Sequence, residues 1–197
     1  MTSRRSFFAW SALALALFVS QAAFAASAQD FVKAKQDELT ALLKANAPAA
    51  KVDKVFDQTL DYGTLAKASL RDHWDETSEA DKKEFTELLS KLVRNSYRKN
   101  LSKILGYSVE YTGVVDGEAG QVVRTVASNK ANKREEPMNI DYVVRMEGPG
   151  IVDVVTDGSS MVNNYRMSFN RIIKKHGFPE LLKRMKNKLA SGSAGVD

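Results

Sequence analysis

The sequence predicts an α+β domain, a four-stranded antiparallel twisted sheet wrapped by helices from the N-terminal and C-terminal ends of the chain. Three observations carry that expectation. Apolar residues recur at helical spacing between about residue 30 and residue 104, alternate with a period of two from Tyr107 to Met146, and return to helical spacing after Gly158. A chain of 197 residues holds one domain with a real core plus processing segments, and is short for two independent cores.

Residues 1–28 read as a cleavable export signal. Arg4 and Arg5 precede an apolar run from Phe7 to Val19, followed by small residues. Ala23-Phe24-Ala25 and Ala26-Ser27-Ala28 both have the small-x-small pattern, which puts the mature start at Ala26 or Gln29. The apolar run falls short of the roughly 20 residues that span a bilayer, so export with cleavage is expected over anchoring. Ser3-Arg4-Arg5-Ser6-Phe7-Phe8 is similar to a twin-arginine signal, and the general secretory route stays open. The single domain is expected over 29–190, with 191–197 as a disordered tail.

From Asp30 to about Ala45, Phe31, Val32, Leu39, Leu42 and Leu43 mark the apolar side of a helix. Pro48 starts a second through Val52, Val55 and Phe56. The stretch from Asp61 to Trp74 suits a third. Ser78, with Asp81 three residues on, caps the longest, whose apolar side runs through Phe85, Leu88, Leu89, Leu92, Val93, Tyr97 and Ile104 with Ser96 and Asn100 interrupting it. Then the period changes. Tyr107, Val109 and Tyr111 alternate with polar residues, and Asp116-Gly117 reads as a turn into a strand from Val122 to Ala127. A third strand alternates Met138, Ile140, Tyr142 and Val144, and Gly148-Pro149-Gly150 turns into a fourth, Ile151–Val155. Gly158 supplies a turn, Ser159 or Ser160 a cap, and Val162, Tyr165, Phe169, Ile172 and Ile173 the apolar face of a helix. A last helix sets Leu181, Leu182, Met185 and Leu189 against Lys183, Arg184, Lys186 and Lys188. Short turns between strands make an antiparallel meander the economical topology, with one face covered by helices.

The composition excludes several classes. The formal charge of +5 falls to 5 − 2 = +3 once Arg4 and Arg5 leave with the signal, and no aromatic-interleaved basic motif is present, so nucleic acid is not an expected partner. Cysteine is absent, which removes disulfides, a lipid-anchoring thiol and a thiol nucleophile. The only histidines are His73 and His176, far apart in sequence, and neither has metal ligands at helpful spacing. No Gly-x-Ser-x-Gly elbow or phosphate-cradling loop occurs. No catalytic residue, metal or cofactor is therefore expected.

The chain is organised around DVVTDGSSMVNNYRMSF, residues 153–169. A strand ending in Asp-Val, then Gly-x-Ser, an apolar pair, Asn-Tyr-Arg and a Phe resembles the signature of the MlaC family, also called the toluene-tolerance family. Asp61-Tyr62 followed by Leu65-Ala66 and Trp74 resembles a second family pattern. There are two departures, Arg71 where the family usually has Gly after the second Leu, and Ile151 where its last strand usually begins with Trp. The resemblance covers nearly all of the mature chain. It implies a soluble periplasmic carrier of phospholipid between the inner and outer membranes, serving outer-membrane lipid asymmetry and acting as a monomer. It also implies partners, namely an inner-membrane ABC transport complex with a membrane-anchored lipid-binding subunit, and an outer-membrane lipoprotein–porin complex.

Pattern and resemblance together place an apolar cavity between the sheet and the helices. Its expected lining is Leu88, Leu92, Tyr97, Tyr142, Val144, Val154, Val162, Tyr165 and Phe169. Arg166 either approaches the headgroup or serves structure, in the plainest account by pairing with a strand carboxylate such as Asp153. The alternative from the enzyme class is a steroid-isomerase-like pocket in which a buried Asp141 or Asp153 takes a proton.

Overall fold

In a computed structural model of the chain, the described residues are 15–145, 147 and 150–192, with side chains described from residue 28 onward except at 99, 101 and 102. Residues 1–14 of the expected signal, Met146, Gly148-Pro149, and 193–197 of the expected tail lie outside them. The helices are α1 (Leu15–Lys44), α2 (Ala49–Thr59), α3 (Tyr62–Leu70), α4 (Asp72–Glu76) and α5 (Glu79–Ile104), then α6 (Met161–His176) and α7 (Phe178–Ala190). Between them lie β1 (Tyr107–Gly117), β2 (Gly120–Asn129), β3 (Met138–Val144), β4 (Ile151–Thr156) and the two-residue β5 (Ser159–Ser160).

Local chemistry sets the element ends. Pro48 precedes the first turn of α2, where its missing N–H costs nothing. Ser78 Oγ accepts from the backbone N–H of Asp81 at 3.2 Å and donates to the Asp81 carboxylate at 2.8 Å, closing the expected cap of α5. Ser160, rather than Ser159, accepts from the Asn163 N–H at 3.0 Å and starts α6. The expected third helix is two. Arg71 adopts φ 50° and ψ −114°, which stops α3 at Leu70 and re-aims the chain into α4.

The sheet order is β1-β2-β3-β4-β5 with every neighbouring pair antiparallel, the expected meander with one short strand added. Asp157 and Gly158 both take positive φ, as a type I′ hairpin turn requires, and that turn creates β5. The first hairpin turns later than expected. Asp116 and Gly117 still pair with β2, and the two-residue loop is Glu118-Ala119 between Gly117 and its partner Gly120.

Strand alternation gives the sheet two different faces. Val123, Thr125 and Ala127 of β2 are buried while Arg124 is exposed. The register sets Tyr142 opposite both Val123 and Val154, and Val144 opposite Gln121 and Ile151. Val123, Val144 and Ile151 belong to one core with Leu65, Phe85, Leu89, Leu92, Phe169, Leu181 and Met185 from the helices. A parallel bridge from Leu60 to Ile151, with the Asp61 N–H donating to Ile151 O at 3.0 Å, ties the N-terminal helices to β4. The basic side of α7 is largely paired within the molecule. Lys183 and Arg184 both reach Glu180, and Lys186 reaches Glu84 on α5.

Candidate functional site: the interior between sheet and helices

The residues around α6 set the geometry. Asp153 on β4 accepts at one oxygen from the N–H groups of Val154 and Val162, at 2.8 and 3.0 Å, and at the other from Ser160 Oγ at 2.5 Å. Its charge thus sits at the N-terminus of α6, where the helix dipole favours it. The expected pairing with Arg166 is absent. Arg166 Nε instead donates to Ala68 O on α3 at 3.1 Å, and Nη1 to Asn163 Oδ1 at 3.1 Å. Arg166 therefore locks α6 against α3, which suits the structural role and leaves no geometry toward the strand carboxylate.

The nine expected lining residues come together in one continuous apolar cluster. Leu88, Leu92, Val144, Val162 and Phe169 are buried in it, while Tyr97, Tyr142, Val154 and Tyr165 are partly buried and pack against it. Rings order this region. Tyr165 stacks on Phe169 with centroids 5.3 Å apart, Phe169 meets Phe85 edge-to-face at 5.3 Å, and Phe56 of α2 lies 4.9 Å from Tyr97.

One site residue was missed by sequence reasoning. Gln36 of α1 spans the sheet face. Its Oε1 accepts from Tyr111 Oη at 2.6 Å and its Nε2 donates to Tyr142 Oη at 2.6 Å. The signal was a polar residue four after Val32 and three before Leu39, within the buried stripe of α1. Burial raises every interior phenol: Tyr142 and Tyr165 are each pushed up to about 12, and Tyr62, Tyr97 and Tyr111 higher still. These hydroxyls stay neutral at any physiological pH.

The chemistry offered is apolar contact and neutral hydrogen bonding. Among the described residues no group of three His, Cys, Asp or Glu could hold a metal. His73 Nε2 lies 3.0 Å from Asn170 Oδ1, a contact between α4 and α6. Asp153 is engaged by three donors, and Asp141 precedes Tyr142 in β3 and so belongs to the opposite sheet face.

The protein family described as MlaC protein matches residues 25–187. The chain belongs to the MlaC family. A solved phospholipid-binding protein from Ralstonia solanacearum, in complex with a phospholipid, has the same fold, with a TM-score of 0.72 and 21% identity over 84% of this chain and 98% of that one. No curated protein matches the chain in sequence. Both departures from the MlaC pattern have a structural reading. Arg71 holds the positive φ that suits the family's usual Gly, and Ile151 is buried in the core where the family usually has Trp.

Proposed function

We propose that the protein is a periplasmic carrier that shields phospholipid acyl chains between its sheet and helices and shuttles phospholipid between the inner and outer membranes. Membership of the MlaC family supports the reading. The observation that carries it is the set of inward-facing side chains, Tyr97, Tyr142, Val154 and Tyr165, that the protein covers only in part while the residues behind them are closed. A carrier needs such a surface. Two acyl chains hold about 30 methylenes, and exposing them to water costs roughly 24 kcal/mol at about 0.8 each. Transfer from bilayer to protein exchanges one apolar solvent for another, so handover runs close to balance and any energy input belongs to a partner.

The inner-membrane ABC complex and the outer-membrane lipoprotein–porin complex are the donors and acceptors this reading calls for. Removal of the export signal leaves a mature chain that starts at Ala26 or Gln29. Among the described residues no helix is long and apolar enough to cross a membrane.

The test is a cavity-filling substitution. Val144 and Val162 are closed, so Trp at either would overpack by about 1–3 kcal/mol. Val154, partly open and opposite Tyr142, is the better position. Val154→Trp is expected to fold and to carry clearly less phospholipid after purification, as quantified by lipid extraction. A folded variant with the wild-type load would contradict the placement of the cavity.

A further inference from the structure

Charged side chains fasten most of the long helices to one another. Asp53 and Asp57 of α2 pair with Arg98 and Arg94 of α5, Arg98 Nε donating at 3.0 Å and Arg94 Nη1 at 3.3 Å. Arg166 of α6 holds α3, and Glu84 of α5 holds Lys186 of α7. The bridge from Leu60 to Ile151 ties the link between α2 and α3 to β4. Helix α1 differs. Among the described residues its ion pair is internal, Lys35 with Glu38, and its one side-chain hydrogen bond to another helix is Lys35 to Gln58 of α2 at 3.4 Å. It packs on α2, β1 and β2, and buries Val32 and Leu39. Its polar tie to the sheet is Gln36 alone among the described residues. Tyr111 Oη on β1 donates to Oε1, and Nε2 donates to Tyr142 Oη on β3, each at 2.6 Å. Because β2 lies between those strands, one amide spans it.

A tie of this kind is reversible. Neutral hydrogen bonds between side chains exchange for hydrogen bonds to water with a small net change, and both phenols and the amide gain water when α1 lifts. The hinge is also present. Helix α1 joins α2 through residues 45–48, where Asn46 takes φ 47°, and α2 is held on α5 by its two ion pairs. The other end of α1 is the start of the mature chain, so the helix can swing from one end. Lifting it takes the cover from Tyr142, one of the expected lining residues. We propose that α1 is the door through which acyl chains enter and leave the interior, with Gln36 as its latch on Tyr111 and Tyr142. This rests on the carrier reading and adds the route of exchange to it.

The experiment joins two rates in the mature protein loaded with a fluorophore-labelled diacyl phosphatidylglycerol. Hydrogen–deuterium exchange read by mass spectrometry reports the opening of α1, and transfer of the label into an excess of phosphatidylcholine vesicles reports lipid release. Gln36→Leu keeps the side-chain bulk and removes both bonds. It is expected to speed amide exchange across residues 30–44 and lipid release alike, by about tenfold, while α5, α6 and α7 exchange as in the wild type. Tyr111→Phe removes one bond, should accelerate both rates by less, and serves if Gln36→Leu does not fold. The two substitutions together should release lipid no faster than Gln36→Leu alone, since both act through one latch. Release at the wild-type rate in the single variants, a further acceleration in the double variant, or faster exchange spread through α5, α6 and α7 overturns the latch and leaves the carrier standing. A wild type that takes up no labelled lipid overturns both.

Discussion

At Arg71 the chain passes between α3 and α4 through a backbone conformation at φ 50° that glycine adopts freely, and the side chain is exposed. Arg71→Gly therefore removes strain without removing packing. It should raise stability by about 1–2 kcal/mol in urea denaturation, and a loss of stability would contradict the strain. Asp153 is the opposite case, a charge satisfied by three donors at the start of α6. Asp153→Ala should cost about 2–3 kcal/mol by the same measurement, whereas Arg166→Ala acts through the α3–α6 contact. Sequence reasoning paired these two residues because opposite charges near one another suggest a bridge. It could not see that Ser160 and the first turn of α6 supply donors to Asp153 locally. Gln36 was hidden for a related reason. Its partners lie on β1 and β3, and nothing short of the sheet's position over α1 identifies them.

Periodicity made most elements legible, because period-two alternation from Tyr107 and the 3.6-residue stripes in α5 and α6 leave few ways to bury the apolar residues. Boundaries read less well. Asp116-Gly117 resembles a hairpin turn, yet cross-strand pairing extends to Gly117 and Gly120 and moves the turn to Glu118-Ala119. The reason lies at Gly120, where a Cβ would come within 2.0 Å of Val144 O and φ is 144°. That close approach sets the start of β2 against the end of β3. Gly120→Ala should destabilise the fold by about 2 kcal/mol or more in thermal denaturation, and a neutral result would refute the tight approach. The split of α3 from α4 escaped the pattern because Arg71 is a good helix former, and its residue type does not signal the positive φ that it adopts.

Across the whole molecule the fold holds the phenols in their neutral form. All six tyrosines lie above the ordinary value of 10, five through burial and Tyr107 through its hydrogen bond to Glu135. Below pH 10 folded and unfolded chains both keep these protons. As pH rises past 10 the unfolded chain releases them first, so stability falls between pH 10 and the folded values near or above 12. Phenolate absorbance should stay low past pH 10 and then rise together with unfolding, and an ordinary titration centred at pH 10 in folded protein would show the phenols to be open to water. The same enclosed interior is what a carrier requires, and native mass spectrometry of the protein purified from the periplasm tests that most directly. A stoichiometric mass increment, identified as diacyl phospholipid after denaturing extraction, is the result expected. Protein that emerges without lipid and stays empty after incubation with phospholipid vesicles would contradict the carrier account.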